Sequence, residues 1–415
     1  MQISHFCLLN KWTLKRTSMS QDRGETIDKM QPMRIGEGSP RLGVLRDLSL
    51  DLAAKAAAFR SSLPSEIQIA LAHLVRAMNC YYSNLIEGHD THPIDIERAL
   101  NNDFSDNPEQ RDLQLEARAH IAVQEWIDAG GLAGRAHSVA GLCETHARFC
   151  EQLPESLLWA EMPGTGERVR VEPGALRTSD VRVGRHIAIS AGAVPRFLDH
   201  FEWAYGRLGR SDAIIALAAA HHRLVWIHPF LDGNGRVARL MSHAMLLDTL
   251  DTGGVWSVAR GLGRTAQDYK RHLAACDLPR RNDLDGRGAL SEEALASFTS
   301  YFLQICIDQV DFMAGLVEPN RLRTRIHRWI DEEAALGNLP AKAGTIIDAI
   351  LYRGELPRGE VDAVVGSGER HARRIAATLL DLGVIVSESS RAPLRMAFPA
   401  ALASRWMPGL FPDKN

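Results

Sequence analysis

The apolar residues of this chain follow the helical period of three to four positions over most of its length. The period predicts one or two helices over 48–87, with Gly88 as the stop, and another helix in HPIDIERAL, residues 92–100. It predicts further helices in the following segments: 112–129, 138–153, 193–205, 211–226, a segment that ends near 250, 268–276 and 291–317. The pattern is therefore that of a mostly helical protein.

One stretch departs from the helical period. Residues 166–190, GERVRVEPGALRTSDVRVGRHIAIS, alternate between apolar and polar positions in short runs that Gly and Pro interrupt. Such alternation is typical of strands joined by turns. We expect a β-hairpin inside an otherwise helical protein.

The two ends of the chain differ from its middle. Residues 1–40 are polar and lack periodicity, which predicts disorder. Residues 319–340 predict a connecting helix, and residues 341–400 predict three helices followed by a two-stranded hairpin. That order is typical of a winged helix-turn-helix. Residues 401–415 are expected to form a tail.

Composition narrows the class of protein. The length of 415 residues predicts two or three domains, and the net charge of −3 gives no global attraction to nucleic acid or membranes. No apolar run reaches about eighteen residues, so no membrane-spanning helix is expected, and the basic start lacks the apolar core of a signal peptide. Six cysteines without a CxxC pair predict reduced thiols in the cytoplasm.

The stretch HPFLDGNGRVARL, residues 228–240, lies between two predicted helices. Pro229 ends the first helix, and the glycines allow the backbone to approach a ligand closely. The second helix then begins with unpaired N–H groups, which attract anions. Arg236 and Arg239 are three positions apart and project on one side of it. Two guanidinium groups above such amides suit a polyphosphate.

Two further residues of this stretch supply chemistry. Asp232, beside the helix start, suits a Mg²⁺ ion that bridges phosphate oxygens. His228 can accept a proton from an attacking hydroxyl group. A base, a metal ligand and a phosphate site together predict phosphoryl or nucleotidyl transfer. A structural histidine and an ordinary turn are the alternatives for each part taken alone.

The residues HPFLDGNGRVAR resemble the motif of the Fic-domain family, HxFx(D/E)GNGRxxR, at every defined position. LRTSDVRVG, residues 176–184, resembles the flap hairpin of that family, and residues 254–273 resemble its region near the nucleotide base. The resemblance covers about 48–317. It implies a helical protein that transfers AMP from ATP to a Ser, Thr or Tyr hydroxyl of a target protein. A winged helix is a common C-terminal partner of such domains.

The resemblance also implies roles for the charged residues of the motif. His228 would be the general base for the target hydroxyl, and Asp232 would hold Mg²⁺. Arg236 would hold phosphate charge, and Arg239 would reach the γ-phosphate of ATP.

Other residues are assigned by the same resemblance. Gly233, Asn234 and Gly235 would cradle the α- and β-phosphates, with an added contact from the Asn234 side chain. The flap, residues 178–189, would receive an extended segment of the target by strand addition. Tyr269 would pack near the adenine, and a core or surface tyrosine is the alternative.

A second motif, YYSNLIEG at 81–88, resembles the inhibitory helix of Fic proteins, (S/T)xxxE(G/N). Ser83, Glu87 and Gly88 occupy its defined positions. The resemblance implies that Glu87 pairs with Arg239 and denies that arginine to the γ-phosphate. Two alternatives stay open: a glutamate that faces solvent, and a glutamate that positions water to remove AMP from a modified target.

The C-terminal unit carries Arg370, Arg373 and Arg374 at the front of its third predicted helix. In a helix-turn-helix this end reads DNA, so the three arginines form a candidate basic face for DNA phosphates. Glu369 weakens that interpretation. Docking of the target protein or of a second copy of the chain, as in a homodimer, is the alternative.

These observations predict a mostly α fold with a Fic-type helical core, a short β-hairpin flap and a C-terminal winged helix-turn-helix. The inhibitory helix belongs to a helical region over 41–135, and the catalytic core covers 136–318. The predicted function is an adenylyltransferase that uses ATP and Mg²⁺ and is inhibited by Glu87. The rival hypothesis is a DNA-binding regulator whose Fic site is idle. The intact motif argues against an idle site.

Overall fold

The first half of the chain is helical as far as the first strand. The computed structural model describes residues 21–161, 166–340 and 342–412. Its first helices are α1 (Leu42–Ser61), α2 (Ser65–Glu87), α3 (Pro93–Leu100), α4 (Pro108–Asp128) and α5 (Val139–Cys150). The helices that the apolar period predicted here are confirmed. Gly88, with a φ of 95°, ends α2 as expected because glycine adopts this left-handed conformation without steric cost.

Two short hairpins follow. Strands β1 (Trp159–Glu161) and β2 (Arg168–Arg170) pair with each other, as do β3 (Arg182–Val183) and β4 (His186–Ile187), and both pairs are antiparallel. We expected a single hairpin over 166–190, and this expectation is wrong. The segment contributes to two hairpins, because β2 pairs with β1, which precedes the segment in the chain. The β3–β4 hairpin lies inside the expected flap at 178–189.

The middle of the chain is again helical. Its elements are α6 (Val194–Tyr205), α7 (Arg210–Ile227), α8 (Asn234–Leu250), α9 (Val258–Arg264), α10 (Ala266–Cys276), α11 (Glu292–Leu316) and α12 (Pro319–Ala335). The sequence period did not predict α9, which is short and contains two glycines. A side chain at Gly261 would collide with Ile305, and one at Gly263 with Tyr82. The glycines therefore let α9 pack closely on both α11 and α2.

The region before residue 136 shares its core with the rest of the helices. Helix α1 packs along α11, and α2 packs on both α9 and α4. The division between 41–135 and 136–318 therefore separates two sequence regions that fold around one core. The described residues include no helix with the length and apolar character to cross a membrane. The five described cysteines are free thiols.

The predicted disorder of residues 1–40 is wrong for 21–40. Met30 and Met33 are buried in the core. The hydroxyl of Tyr205 donates to the Met33 carbonyl at 2.6 Å, and the Arg223 side chain donates to the Pro32 carbonyl at 2.8 Å. These bonds use backbone carbonyls, which every residue type has, so the pattern of apolar residues could not predict them. Residues 1–20 lie outside the described part of the chain.

The C-terminal unit consists of α13 (Ala343–Arg353), β5 (Glu355–Leu356), α14 (Val361–Val365), α15 (Glu369–Asp381), β6 (Ile385–Val386) and β7 (Leu394–Met396). Strand β7 lies between β5 and β6 in an antiparallel sheet. The order contains the three helices and the hairpin that the sequence predicted, and it adds β5. A two-residue strand is too short to show a periodic pattern.

The segment after this unit folds back onto the rest of the protein. It contains α16 (Ala403–Trp406), and the ring of Trp406 contacts that of Trp329 at a centroid distance of 5.2 Å. The Leu410 carbonyl accepts hydrogen bonds from the Tyr82 hydroxyl at 3.1 Å and from Arg260 Nε at 3.3 Å. The predicted tail is therefore a packed segment on α2 and α9, except for residues 413–415, which lie outside the description.

Arg260 provides the test of this docking, since its guanidinium also donates to the Gly409 carbonyl at 2.6 Å. We expect Arg260→Met to lower the free energy of unfolding by about 2–3 kcal/mol, because carbonyls of the docked segment lose charged donors. Urea unfolding measures this, and limited proteolysis should cut residues 403–411 more rapidly. Arg271→Met is the control, since the Arg271 side chain is largely exposed. Equal urea midpoints for the two variants would contradict the prediction.

Candidate active site

The loop between α7 and α8 is held in shape by the side chain of Asn234. His228 ends α7 in a left-handed conformation, with a φ of 51°, and Gly233 precedes α8 with a φ of 77°. The Asn234 side chain accepts from the Phe230 amide and donates to the Phe230 carbonyl, both at 2.9 Å. These bonds fix the shape of the loop. They also occupy the Asn234 side chain, so its expected contact with phosphate stays a prediction.

His228 has one ring nitrogen in use. Its Nδ1 lies 3.3 Å from the Val225 carbonyl, which can only accept, so Nδ1 carries the proton and Nε2 is left as the basic atom. Burial lowers the pKa of His228 to about 4, against the small opposing effect of that hydrogen bond. The imidazole is therefore neutral at pH 7 and able to take a proton.

Arg177 holds the base of the flap to this loop, and the sequence did not single it out. Its buried guanidinium donates to the carbonyls of His228 at 2.7 Å and Ile189 at 2.6 Å. It also donates to the Ser179 carbonyl, and its own amide donates to the Pro229 carbonyl at 2.9 Å. Arg177 therefore joins the base of the flap to the loop.

Asp232 and the start of α8 face a cavity of about 260 Å³ beneath the flap. The cavity is lined by residues from the loop, the flap, the first hairpin and the end of α2: Glu87, Ala160, Glu161, Val181, Arg182, Val183, His228, Leu231, Asp232, Gly233, Asn234 and Gly235. The structure thus brings together the predicted base, the predicted metal ligand and the predicted phosphate cradle.

The Asp232 carboxylate fits the predicted Mg²⁺ site. Its side chain is 55% exposed, and it lies 3.5 Å from Arg236 Nη2. Mg²⁺ is commonly held by one or two carboxylates together with substrate phosphates, so a single accessible carboxylate beside a phosphate site is suitable. Among the residues that the structure describes, no cluster of three or more His, Cys, Asp or Glu side chains could hold a metal ion by itself.

Arg239 donates hydrogen bonds to two residues of α2. Its Nε donates to the Ser83 hydroxyl at 2.9 Å, and its Nη2 donates to the Ser83 carbonyl at 3.1 Å and to Glu87 Oε1 at 2.5 Å. The predicted ion pair between Glu87 and Arg239 is present. Burial alone would raise the pKa of Glu87, but the charge and the hydrogen bond of Arg239 outweigh it and lower that pKa.

The Glu87 carboxylate rests on the first turn of α8. A side-chain carbon at Gly235 would lie only 2.3 Å from Glu87 Oε1, so only glycine leaves room for this carboxylate. The ion pair with Arg239 favours the inhibitory assignment over a glutamate that only faces solvent, although the Glu87 side chain is 32% exposed. An acidic group therefore lies over the N–H groups that begin α8.

Arg236 is paired with Glu116, a residue of α4 that the sequence analysis missed. Arg236 Nη1 donates to Glu116 Oε1, and the guanidinium lies 5.1 Å from the centroid of the Phe149 ring. Burial lowers the pKa of Arg236 to about 10, so the side chain stays charged at pH 7. The two arginines of the motif thus have different partners on different helices.

Tyr269 lies in the core, and its expected contact with adenine stays a prediction. It is 2% exposed, and its hydroxyl lies 2.6 Å from His221 Nε2. The ring also packs against Phe298 at a centroid distance of 6.5 Å. The structure therefore favours the alternative of a core tyrosine. The sequence alone left this alternative open because it does not show that His221 lies beside Tyr269.

The three arginines of the C-terminal unit are exposed at the start of α15. Arg373 pairs with Glu369, and Arg374 Nη2 lies 3.1 Å from His371 Nδ1. Glu369 therefore reduces the positive charge of this face, as the sequence suggested. DNA binding through Arg370, Arg373 and Arg374 stays a prediction.

Part of the chain matches a known protein family. Residues 137–246 match the Fic/DOC family. Over 79 residues, the chain is 39% identical to "Protein adenylyltransferase Fic" of Aedes aegypti and 38% identical to the protein of that name from Drosophila grimshawi. Each match covers 19% of this chain and 16% of the relative, so the similarity spans about one sixth of the length of those proteins.

Solved structures of similar fold cover more of the chain. A Fic family protein from Desulfovibrio desulfuricans G20 matches 88% of this chain and 98% of its own, with a TM-score of 0.50 and 18% identity. Fic-1 of C. elegans, residues 134–508 of that protein, matches 67% of this chain and 74% of its own, with a TM-score of 0.51 and 17% identity. At these identities the similarity shows the fold alone.

Arg177 generates a prediction about the flap. Replacing it with Met leaves several buried carbonyls without a donor, so the free energy of unfolding should fall by about 2–4 kcal/mol. Amide hydrogen exchange over 178–189 should become faster as the flap loosens. Arg182→Met is the matched control, because Arg182 is an exposed arginine on the same hairpin. The interpretation fails if both variants leave flap exchange and stability unchanged.

Proposed function

The chain is a Fic-domain protein, and we propose that it transfers AMP from ATP to a hydroxyl side chain of a target protein. The observation that carries this proposal is the position of His228. No described residue hydrogen-bonds its Nε2, and the neutral ring lies at the rim of a cavity that Asp232 and the start of α8 also line. The relatives named adenylyltransferase match 79 residues of the chain, and the Fic/DOC family match over 137–246 includes His228, which supports the same chemistry.

Nucleotide binding is assigned to the start of α8. The backbone N–H groups of Gly233, Asn234 and Gly235 would hold phosphate oxygens, aided by the positive end of the helix dipole. Arg236 would neutralise phosphate charge, and Arg239 would contact the γ-phosphate once released from α2. Asp232 would hold Mg²⁺, which supplies charge neutralisation of the phosphates when bound.

The transfer step needs a proton acceptor beside the attacking group. The target hydroxyl gives its proton to His228 Nε2 while its oxygen bonds to the α-phosphorus of ATP. The bond between the α-phosphorus and the bridging oxygen breaks, and pyrophosphate leaves. The products are the AMP-modified hydroxyl and pyrophosphate, with the proton on His228.

The flap is assigned to target binding. Strands β3 and β4 form a two-stranded hairpin beside the cavity, and the side chain of Ile187 is 68% exposed. An extended segment of a target can pair with the edge of such a hairpin through backbone hydrogen bonds. This placement would bring a target hydroxyl next to His228.

Glu87 is assigned to inhibition. The hydrogen bonds that Arg239 donates to Ser83 and Glu87 must break before this arginine can serve a γ-phosphate. The carboxylate also rests on Gly235, where its charge would repel phosphate. Positioning of water for AMP removal is the alternative role, and it is favoured by the place of Glu87 in the same cavity as His228.

The role of His228 is tested by His228→Ala. We expect transfer of labelled AMP to fall by at least about 10²-fold, because general base catalysis contributes that much, while binding of Mg·ATP stays unchanged. Arg236→Ala is the control that should weaken binding of Mg·ATP. Since burial lowers the pKa of His228 to about 4, the rate in the wild type should stay flat between about pH 5.5 and 8. Full activity of His228→Ala would remove this residue from the mechanism.

The inhibitory contact is tested by Glu87→Gly. Freed Arg239 gains a charge-assisted bond to phosphate, so both ATP affinity and self-modification should rise by roughly 10-fold or more. The double variant Glu87→Gly, Arg239→Ala should lose this gain. Glu161→Ala, which removes another carboxylate from the cavity, is the control and should leave ATP affinity near that of the wild type.

The same variants separate inhibition from AMP removal. If Glu87 positions water, Glu87→Gly should stop the release of AMP from a modified target. If Glu87 only inhibits, release is unaffected by the substitution. A double variant as active as Glu87→Gly alone would show that the pairing with Arg239 does not inhibit.

A further inference from the structure

Helix α4 carries a stripe of polar residues on a buried face. Glu116, His120, Gln124 and Asp128 follow one another at intervals of four positions, which places them on one side of the helix. The first three are buried, and the Asp128 side chain is only 10% exposed. Helix α4 packs against both α2 and α8. Three members, Glu116, Gln124 and Asp128, have partners on those two helices, whereas the ring nitrogens of His120 have no hydrogen-bond partner among the described residues.

The far end of the stripe holds the two helices together. The Asp128 carboxylate accepts from Arg76 of α2 and pairs with His243 of α8, each at 2.7 Å. Gln124 accepts from Asn79 of α2 at 2.9 Å. These bonds fix α2 and α8 relative to α4, and therefore relative to each other.

Glu116 is the end of the stripe nearest to the active site. One carboxylate oxygen accepts from Arg236 of α8, and the other lies 2.7 Å from Nδ1 of His89. His89 follows Gly88, the residue that ends α2. One buried carboxylate thus joins the end of the proposed inhibitory helix to an arginine of the motif.

The charges around Arg236 indicate that Glu116 stays paired with this arginine when a nucleotide and Mg²⁺ bind. The guanidinium is buried, and without a countercharge a buried cation is strongly destabilised. Two other carboxylates act near it. Asp232 is exposed, lies 3.5 Å away and is the proposed ligand of Mg²⁺, while Glu87 is paired with Arg239. With Asp232 bound to metal, Glu116 is the carboxylate that still holds Arg236.

We propose that Glu116 is a positioning residue that orients Arg236 toward the nucleotide phosphates and, through His89, ties the end of the inhibitory helix to the same arginine. The proposal rests on the proposed function in assigning phosphate binding to Arg236. It assigns Glu116 two separable effects, one on nucleotide binding and one on the release of α2.

The effect on nucleotide binding is tested by a double-mutant cycle in the Glu87→Gly background, where inhibition is absent. Calorimetric titration with Mg·ATP measures affinity without requiring transfer. We expect Glu116→Ala to weaken binding roughly 10-fold, because Arg236 loses the partner that orients it. Once Arg236 is already Ala, the same substitution should have almost no further effect, since coupled residues are not additive.

Two controls keep this experiment decisive. Glu125→Ala removes a largely exposed carboxylate from the same helix and should leave affinity unchanged. Glu116→Gln keeps the size and one acceptor, so it should fold where Glu116→Ala does not and should weaken binding less. A loss of affinity by Glu116→Ala that is equally large with and without Arg236 would overturn the proposal, as would unchanged or tighter binding.

The effect on α2 is tested by His89→Ala, which leaves the pair of Glu116 and Arg236 intact. We expect Mg·ATP affinity to rise about threefold when Glu87 is present, because the end of α2 is less firmly held, and not to change in the Glu87→Gly background. A rise in both backgrounds, or in neither, overturns this part. If no AMP transfer is detected but the binding cycle shows coupling, the proposed function fails while the role of Glu116 stands.

Discussion

A guanidinium group that leaves water must find acceptors for its N–H groups, and several arginines of this protein lie in its interior. The structure meets this constraint in two ways. Arg177, Arg223 and Arg260 donate mainly to backbone carbonyls. Arg236 and Arg239, the two arginines of the motif, are paired with carboxylates. The kind of acceptor distinguishes the arginines that hold the fold from those that face the nucleotide site.

This distinction has a physical basis. A backbone carbonyl is fixed by the fold around it, so an arginine bound to carbonyls stays where it is. A carboxylate on a side chain can rotate away, and a phosphate can then take its place with similar geometry. The Glu87 side chain is 32% exposed and has water to move into, whereas Glu116 is fully buried and has none. The pair with Glu87 is therefore the exchangeable one, and the pair with Glu116 is the fixed one.

The sequence could predict those parts of the site that are contiguous in the chain. The loop from His228 to the start of α8 obeys local rules of proline, glycine and helix ends, and the partner of Glu87 follows from a second short motif. Arg177 and Glu116 act across long sequence separations, and Arg177 belongs to no spacing pattern of chemical residues. A signal for Glu116 was present, because four polar residues at helical spacing inside a predicted helix mark a polar face. The sequence contains no indication that this polar face of α4 is buried.

The fold shows the same division between local and distant information. Helices longer than about ten residues were predicted because their apolar period is long enough to recognise. Residues 21–40 were missed because they are anchored by single side chains and by backbone carbonyls. Tyr269 was left with two alternatives, since only the folded chain places His221 beside its hydroxyl.

The docking of the last segment onto α2 has a consequence for the order in which the protein is made. Tyr82 and Leu410, which share a hydrogen bond, are 328 positions apart. A ribosome adds about 5–20 residues per second, so roughly 15–65 s separate the synthesis of these two residues. During that interval the aromatic face of α2 that carries Tyr81 and Tyr82 has no cover from Leu410 and Phe411. Helix α2, whose Ser83 and Glu87 bind Arg239, is thus fully packed only after every residue of the active site has been translated.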